Sequence, residues 1–367
     1  MMRSILNRLL LAIALVMSPI AFTQAQEHGH EGETVEHGET RKEGFDVGGM
    51  IMHHIKDEHG WELAHGVTIP LPVILYSPDR GLEVFSSSRL AHDQVYNGYK
   101  QVHGKIHRVD AAGNDDHEAK FYNFSITKNV ASLLLSAIIL LSIFPAVSRS
   151  YAKNRGKAPK GLQSFLEPII LFVRDEIAKP SIGPKYVKYL PYLLTLFFFI
   201  LVNNLLGLLP GAANLTGNIA VTLVLAVITF LIVSFSGNKH YWMHIVKPTG
   251  VPWFVLPIMI PVEIVGVFMK PISLMVRLFA NITAGHIIIL SLLGLIFMAN
   301  SLGGMTTSIA ISPVVLFFTL FLNLIELLVA FLQAFIFTLL TAMYIGSAVE
   351  EHHEADHGIG FEGAEAH

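Results

Sequence analysis

The chain contains no cysteine, and charged side chains make up only 14% of its 367 residues. Without cysteine it can form no disulfide, no thiolate nucleophile and no cysteine-based metal site. The low charged fraction, together with 52% hydrophobic residues and a mean hydropathy of +0.54, excludes an ordinary soluble protein. The composition instead predicts a chain that lies mostly within a membrane.

Long apolar runs predict the number of membrane spans, since a transmembrane helix needs about 20 predominantly apolar residues. A shorter run, Val251–Val267, is interrupted by three prolines and predicts an incomplete or re-entrant element. We therefore expect an all-α polytopic membrane domain with five transmembrane helices plus this proline-broken partial membrane helix. The five predicted spans are Val130–Val147, Leu190–Leu209, Ile219–Phe235, Ile272–Met298 and Val314–Met343.

The N-terminus has the form of a signal peptide over residues 1–25, with Arg3 and Arg8 before an apolar core and small residues at the predicted cleavage site. An uncleaved membrane anchor is the alternative. Export of the N-terminus makes the first mature span run inward. The positive-inside rule gives the same orientation, because basic residues follow the first span while the loop at 299–312 carries no charge. We expect a bacterial inner membrane protein with a periplasmic N-terminus and a cytoplasmic C-terminus.

A polar region separates the signal peptide from the first span. Residues 26–47 are rich in His, Glu and Gly and predict a disordered segment. Val67–Tyr76 and Leu82–Phe85 predict short strands around a turn, so we expect a small β-rich external domain over residues 48–123. Histidines of the polar region could bind a divalent metal, although no ligand spacing stands out. The remaining predicted segments are the membrane domain at 124–349 and the cytoplasmic tail at 350–367.

One motif in the tail resembles a catalytic metal site. His353, Glu354 and His357 match the H-E-x-x-H signature, in which two histidines hold zinc and the glutamate acts as general base. The surrounding Gly/Glu/His-rich sequence is not amphipathic and ends a few residues later. A solvated tail is the favoured interpretation, and a membrane-tethered metallohydrolase stays an alternative.

Arg277 lies in the middle of an apolar run, where hydrocarbon is expected. A guanidinium keeps its proton even when desolvated, and an arginine at the centre of a membrane helix costs about 2.5 kcal/mol or more. Ser273, Ala280, Asn281 and Ala284 share its helical face. Small residues allow a neighbouring helix to approach closely. The pattern predicts an arginine that is presented to a partner helix rather than to lipid.

Two further polar features lie at membrane depth. His286 comes nine residues after Arg277, about 13 Å further along the helix and on a different side. Asn323, Glu326 and Gln333 form a second stripe at helical spacing on the last span. Ionisable and amide groups at this depth suit a proton path. The alternative is that they only hydrogen-bond one another, which is worth about 0.6 kcal/mol per bond in membranes.

These residues also carry a family resemblance. The run RLFANITAG at residues 277–285, followed by LQAF at 332–335, resembles subunit a of the F-type ATP synthase membrane sector. The similarity extends from about Phe124 to His352 and includes NNLLGLLP at residues 203–210. It does not cover the external region, so the role of that region is left open.

The resemblance implies a proton channel facing a rotor. Arg277 matches the essential arginine that faces the carboxylate of the rotating c-ring, and Asn281 and Gln333 match its polar companions. His286 and Glu326 match the pair associated with the outer half-channel.

Three positions need separate comment within that resemblance. His286 and Glu326 are exchanged relative to other branches of the family, which carry the acid on the arginine's helix. Glu263 matches an acid assigned to the inner half-channel. Gly207 departs from the family, which often has an acidic residue near that position.

The resemblance further implies the setting in which the chain works. Its partners would be the c-ring, the stator stalk subunit b, the rest of the F1Fo complex and membrane lipid, with no nucleic acid. It would need no cofactor, hold no metal and catalyse nothing alone. A proton-coupled secondary transporter is the other alternative, although such folds show repeats and broken helices in both halves, and only one proline-broken element is present here.

Overall fold

The computed structural model describes residues 47–49, 51, 56–64, 67–102, 104–110, 116, 120–153, 156, 158–209, 213–246 and 252–350. The predicted signal peptide and almost all of the predicted disordered segment lie outside the described residues. So do the tail residues His353, Glu354 and His357 of the H-E-x-x-H motif.

The N-terminal region, predicted to be external, is a small β structure, as the sequence predicted. Strand β3 pairs with β4 on one side and with β7 on the other, all antiparallel, while β1–β2 and β5–β6 form two separate hairpins. Val73, Leu75 and Phe85 of the three-stranded sheet pack with Leu90 and Tyr99 in its core. The strands are β1 (Gly60–Ala64), β2 (Val67–Pro70), β3 (Pro72–Ser77), β4 (Gly81–Ser86), β5 (Tyr99–Val102), β6 (Lys105–Arg108) and β7 (Tyr122–Asn123), with a 3₁₀ helix at Ser87–Asp93.

The external domain is tied to the start of the first long helix, α1 (Lys128–Lys153). The backbone N–H of Lys128 donates to the carbonyl of Glu58 at 2.9 Å, and that of Asn129 donates to Asp57 Oδ1 at 3.1 Å. The first N–H groups of a helix have no partner within the helix, and a side-chain acceptor there stabilises the helix start. Asp57 therefore fixes the position of α1 relative to the domain.

Seven helices, α1 included, follow the strands in the described part of the chain, with a π-helical stretch (Val173–Ala178) and short 3₁₀ turns between some of them. Four continuous helical stretches among the described residues are long and apolar enough to cross a membrane: 128–153, 162–207, 219–236 and 256–349. The helices are α1, α2 (Leu162–Phe172), α3 (Lys179–Ile182), α4 (Tyr186–Gly207), α5 (Ile219–Ser236), α6 (Lys239–Val246) and α7 (Leu256–Val349).

The prediction of a separate proline-broken element at Val251–Val267 is wrong. Helix α7 begins at Leu256 and continues through Pro261 and Pro271. Pro257 occupies the first turn, where a missing N–H costs nothing. Further along, a proline can bend a membrane helix without ending it, because neighbours and local adjustment satisfy the freed carbonyl. The partial element and the predicted fourth span are therefore one long helix.

Helix α7 folds back on itself at Gly304, whose φ of 70° and ψ of −175° are not helical. Glycine adopts a positive φ without a steric penalty. Residues 256–303 form a first arm and residues 305–349 a second arm. The hydroxyl of Ser308 donates to the carbonyl of Ile296 at 3.3 Å, which shows that the arms run antiparallel. Together with α1, α4 and α5, the arms contain the five predicted apolar runs except for the last two residues of Leu190–Leu209, which lie just beyond α4.

The end of the second arm is fixed against the other helices. Asn238 donates its backbone N–H to the carbonyl of Ala348 at 2.9 Å and its side-chain amide to that of Val349 at 3.1 Å. Lys185 Nζ also donates to the Val349 carbonyl, at 3.3 Å. The last carbonyls of a helix need such outside donors. These bonds join the end of α7 to Asn238, just after α5, and to Lys185, just before α4. They hold the second arm in position.

Candidate functional site

Arg277 lies on the first arm, on a face that no described part of the chain covers. Ser273, Ala280 and Ala284, which share that face, are all exposed. The guanidinium is half-buried and makes no hydrogen bond or ion pair with any described residue. A partner helix was predicted for this stripe, and the described part of the chain does not supply one.

An amide pair joins the two arms one helical turn beyond Arg277. Asn281 Nδ2 donates to Gln333 Oε1 at 3.0 Å. Gln333 is only 2% exposed, so its orientation is held by the surrounding second arm. The two amides therefore fix the register of the arms near Arg277.

The structure also brings His286 and Glu326 together across the arms. His286 Nδ1 lies 3.8 Å from Glu326 Oε1, and the two side chains are 16% and 6% exposed. At this separation a protonated imidazole and a carboxylate attract each other, and more strongly than in water because the site is largely shielded from solvent. The pair can therefore hold and pass a proton between the arms.

Gly285 permits this approach. A methyl group on residue 285 would lie 3.3 Å from Glu326 Oε1 and 3.4 Å from its Cδ. Contacts this short require the carboxylate to move, and a larger side chain would displace it further. The absence of a side chain at position 285 is thus part of the geometry of the pair.

In the proton-driven ATP synthesis that the family resemblance implies, we expect Gly285→Val to reduce the rate by about tenfold, because small displacements of reacting groups cost large factors in rate. The matched control is Ile272→Val, which puts the same side chain at an exposed position of the same arm, on a different side of the helix from Arg277. Synthesis is measured in membrane vesicles at equal levels of assembled complex. Equal rates in both variants would contradict the inferred role of Gly285.

Glu263 lies apart from the other predicted site residues. It precedes Arg277 by 14 residues on the same arm, about 21 Å along the helix. Across from it, Tyr241 of α6 has a pKa that is raised by burial and, to a smaller extent, by the negative charge of Glu263. Between Glu263 and Arg277, Lys270 Nζ lies 5.3 Å above the ring of Tyr344. Charged and hydroxyl groups therefore line this end of the arms.

Asn204 is a polar residue whose role the sequence analysis missed. Its Nδ2 donates to the carbonyl of Ala330 on the second arm at 3.0 Å, while its buried Oδ1 has no partner among the described residues. Thr216 Oγ1 is likewise buried and unsatisfied. Buried polar atoms without protein partners are common sites for ordered water. Two consecutive asparagines within an apolar span were the available signal.

Asn323 and Gly207, two other positions discussed in the sequence analysis, make no contact among the described residues of the kind that Asn204 makes with the second arm. Asn323 donates to the carbonyl of Thr319 at 2.8 Å, four residues earlier in its own helix, which fits the internal hydrogen bonding considered as the alternative for it. Gly207 contains no side chain, and a Cβ there would lie 3.5 Å from Asn214 Oδ1. An amide thus lies next to the position where the resembled family often has an acid.

Comparison with known families divides the chain into two regions that correspond to the β region and the helical region of the structure. Residues 130–346 match the family model described as ATP synthase A chain, and residues 50–129 match a domain of unknown function (DUF8433). The first match covers more than half of the chain and includes every predicted site residue.

Individual relatives agree with the family match. A protein called ATP synthase subunit a from Pelodictyon phaeoclathratiforme is 45% identical over 357 residues, covering 95% of this chain and 86% of the relative. Proteins of that name from Chloroherpeton thalassium and Anaeromyxobacter sp. are 46% and 39% identical over 245 and 345 residues. These alignments cover 65% and 90% of this chain and 71% and 76% of the relatives.

Proposed function

Since the chain belongs to the ATP synthase subunit a family, it is a proton-translocating, non-catalytic subunit of the F-type ATP synthase membrane sector, and we propose that α7 forms its proton path against the c-ring. In this proposal the two arms carry two half-channels that meet near Arg277. The secondary transporter and the metallohydrolase are therefore set aside.

The observation that carries the proposal is the uncovered face around Arg277. A desolvated guanidinium needs an anion, and the described part of this chain offers Arg277 none. The exposed small side chains of Ser273, Ala280 and Ala284 leave room for another helix to approach. A carboxylate on each passing c subunit satisfies both requirements.

The His286–Glu326 pair serves proton uptake from the outer side. His286 and Glu326 lie closer than Arg277 to the turn at Gly304. They are therefore further from the other end of the arms, which is cytoplasmic in the predicted topology. A proton that reaches the pair is transferred to the c-ring carboxylate and neutralises it. The neutral subunit can then rotate into lipid, because the cost of placing a charge in hydrocarbon is removed.

Glu263 serves release into the inner half-channel. It lies on the opposite side of Arg277 from the His286–Glu326 pair, next to Tyr241. Lys270 and Tyr344 lie between Glu263 and Arg277, so polar groups continue along this end of the arms. A proton released near Arg277 then reaches the cytoplasm past Glu263.

Arg277 keeps the two paths separate. Its positive charge favours the ionised form of the c-ring carboxylate that faces it and so promotes proton release. It does not relay protons itself, because a guanidinium stays protonated. Each charge that crosses the membrane contributes about 2.3 kcal/mol per 100 mV, and rotation of the ring delivers this energy to the catalytic head.

The wider arrangement follows from the predicted topology. The chain lies in the bacterial inner membrane with its N-terminus in the periplasm and its C-terminus in the cytoplasm. Besides the c-ring it contacts subunit b of the stator stalk. The external domain then lies on the side from which protons enter.

Disulfide cross-linking tests whether the Arg277 face meets the c-ring, and the lack of native cysteine makes single replacements clean. We expect Ala284→Cys to cross-link to a cysteine placed beside the c-ring carboxylate. Ile138→Cys on α1, a position that is 61% exposed, is the control and should not react. Cross-linking of the control alone, or of neither variant in an active complex, would refute this placement of the c-ring.

A further inference from the structure

The external domain carries an apolar surface that its own core does not use. In the three-stranded sheet, Tyr76 pairs with both Leu82 and Tyr122, and Ile74 pairs with Val84. The Phe124 N–H extends the ladder by donating to the Ile74 carbonyl at 2.8 Å. Side chains alternate between the two sides of a strand. The side opposite the core, here called the outer sheet face, consists of Ile74, Tyr76, Leu82, Val84, Tyr122 and Phe124.

The outer sheet face is exposed and free of charge. Leu82 is 66% exposed and Val84 61%, and Tyr122 and Phe124 are more than half exposed. Glu83, the only charged residue of the three strands, points to the other side, where Asn97 Nδ2 lies 3.5 Å from its carboxylate. A contiguous apolar surface of this kind marks a site of contact with a partner or a membrane.

This face continues directly into the segment that enters the membrane. Phe124 is separated from Lys128, the first residue of α1, by at most about 13 Å of extended chain. The Ile126 N–H donates to the Pro72 carbonyl at 3.1 Å, so the connecting residues are held against the sheet. The hydrogen bond from Asn129 to Asp57 fixes the helix start in the same way. The domain cannot move far from the bilayer surface.

We propose that the outer sheet face lies on the outer leaflet of the bilayer, with lipid headgroups and the upper acyl chains as its partner. Tyrosine side chains favour the membrane–water interface, where the ring is in apolar surroundings and the hydroxyl is hydrated. Residues 26–46 of this chain do not suit the face, because they contain only Val35 and Phe45 as large apolar side chains. The domain acts as an interfacial anchor for the first transmembrane helix.

The proposal depends on the chain spanning a membrane and not on the proton path. Its failure would therefore leave the proposed function untouched.

A nitroxide label on a single introduced cysteine tests the contact in the complete ATP synthase complex, reconstituted in lipid nanodiscs. Val84→Cys places the label on the outer sheet face, and Leu82→Cys provides a second position. Gln94→Cys, exposed just after the 3₁₀ helix that packs on the core side, is the control. We expect the labels at 84 and 82 to be more accessible to dissolved oxygen, and less accessible to a water-soluble nickel chelate, than the label at 94.

Two results would overturn the proposal. High accessibility to the nickel chelate at both 84 and 82 would mean that the face is in water. Low accessibility to both reagents would mean that a polypeptide covers it.

Discussion

Replacing Arg277 with alanine is expected to abolish ATP synthesis under an imposed proton gradient and to leave the complex assembled. The reason is that the guanidinium makes no hydrogen bond or ion pair with the described part of its own chain, so its loss removes a charge from the rotor face without breaking an internal contact. Without that charge, nothing favours the ionised c-ring carboxylate or separates the half-channels. Synthesis in membrane vesicles and co-purification of the subunits are the two measurements.

Arg277→Lys is expected to fail as well, although it keeps a basic residue. A desolvated ammonium can lose its proton, and it lacks the planar fork of donors that a guanidinium offers to a carboxylate. Val276→Ala is the matched control, since Val276 is a neighbouring exposed position on the same arm and carries no charge. Normal synthesis in the alanine variant at position 277 would refute the proposed mechanism.

Exchanging His286 and Glu326 is expected to restore more ATP synthesis than either single replacement retains. We expect His286→Glu to place two acids in contact and Glu326→His to place two imidazoles there. In both cases the attraction across the 3.8 Å gap is lost. The double variant rebuilds one acid and one imidazole at the same depth. It also reproduces the arrangement found in the other branch of the resembled family.

The measurement is the synthesis rate of the two single variants and the double variant at matched assembly. Loss of Glu326 should slow synthesis most at high outside pH, where few protons are available for uptake. A double variant no faster than the slower single variant would show that the two residues do not act together. A double-mutant comparison is needed because neighbouring groups are not additive.

The sequence predicted the apolar runs and the β-rich N-terminal region, because each depends on local pattern, whereas the roles of the candidate site residues come from the family resemblance and stay predictions. Hydrophobic length indicated helices long enough to cross a membrane, and a charge within an apolar run indicated Arg277 as a candidate site residue. The continuity of α7 could not be predicted in this way. Pro261 and Pro271 normally indicate helix ends, and only the packing of the assembled helices decides whether a proline bends a helix or ends it.

Contacts between distant segments were also beyond the sequence. Nothing in the local pattern indicates that Gly285 leaves space for Glu326, since the two positions are 41 residues apart and meet only because of the turn at Gly304. The same applies to Asn204, which bonds to a carbonyl on the second arm. Such pairings depend on tertiary geometry, which a single sequence does not display.

The turn at Gly304 has a consequence for how this site can vary. Because the arms are antiparallel, residues 286 and 326 face each other across the hairpin. In the proposed path, a proton that crosses between them meets the same two groups whichever arm carries which. Either position can carry the acid, provided that the other position carries the imidazole. A lineage can therefore trade the acid and the imidazole between the arms while the depth of the pair in the bilayer stays constant. The hairpin geometry determines where the two positions meet, and it does not determine which of them carries the acid.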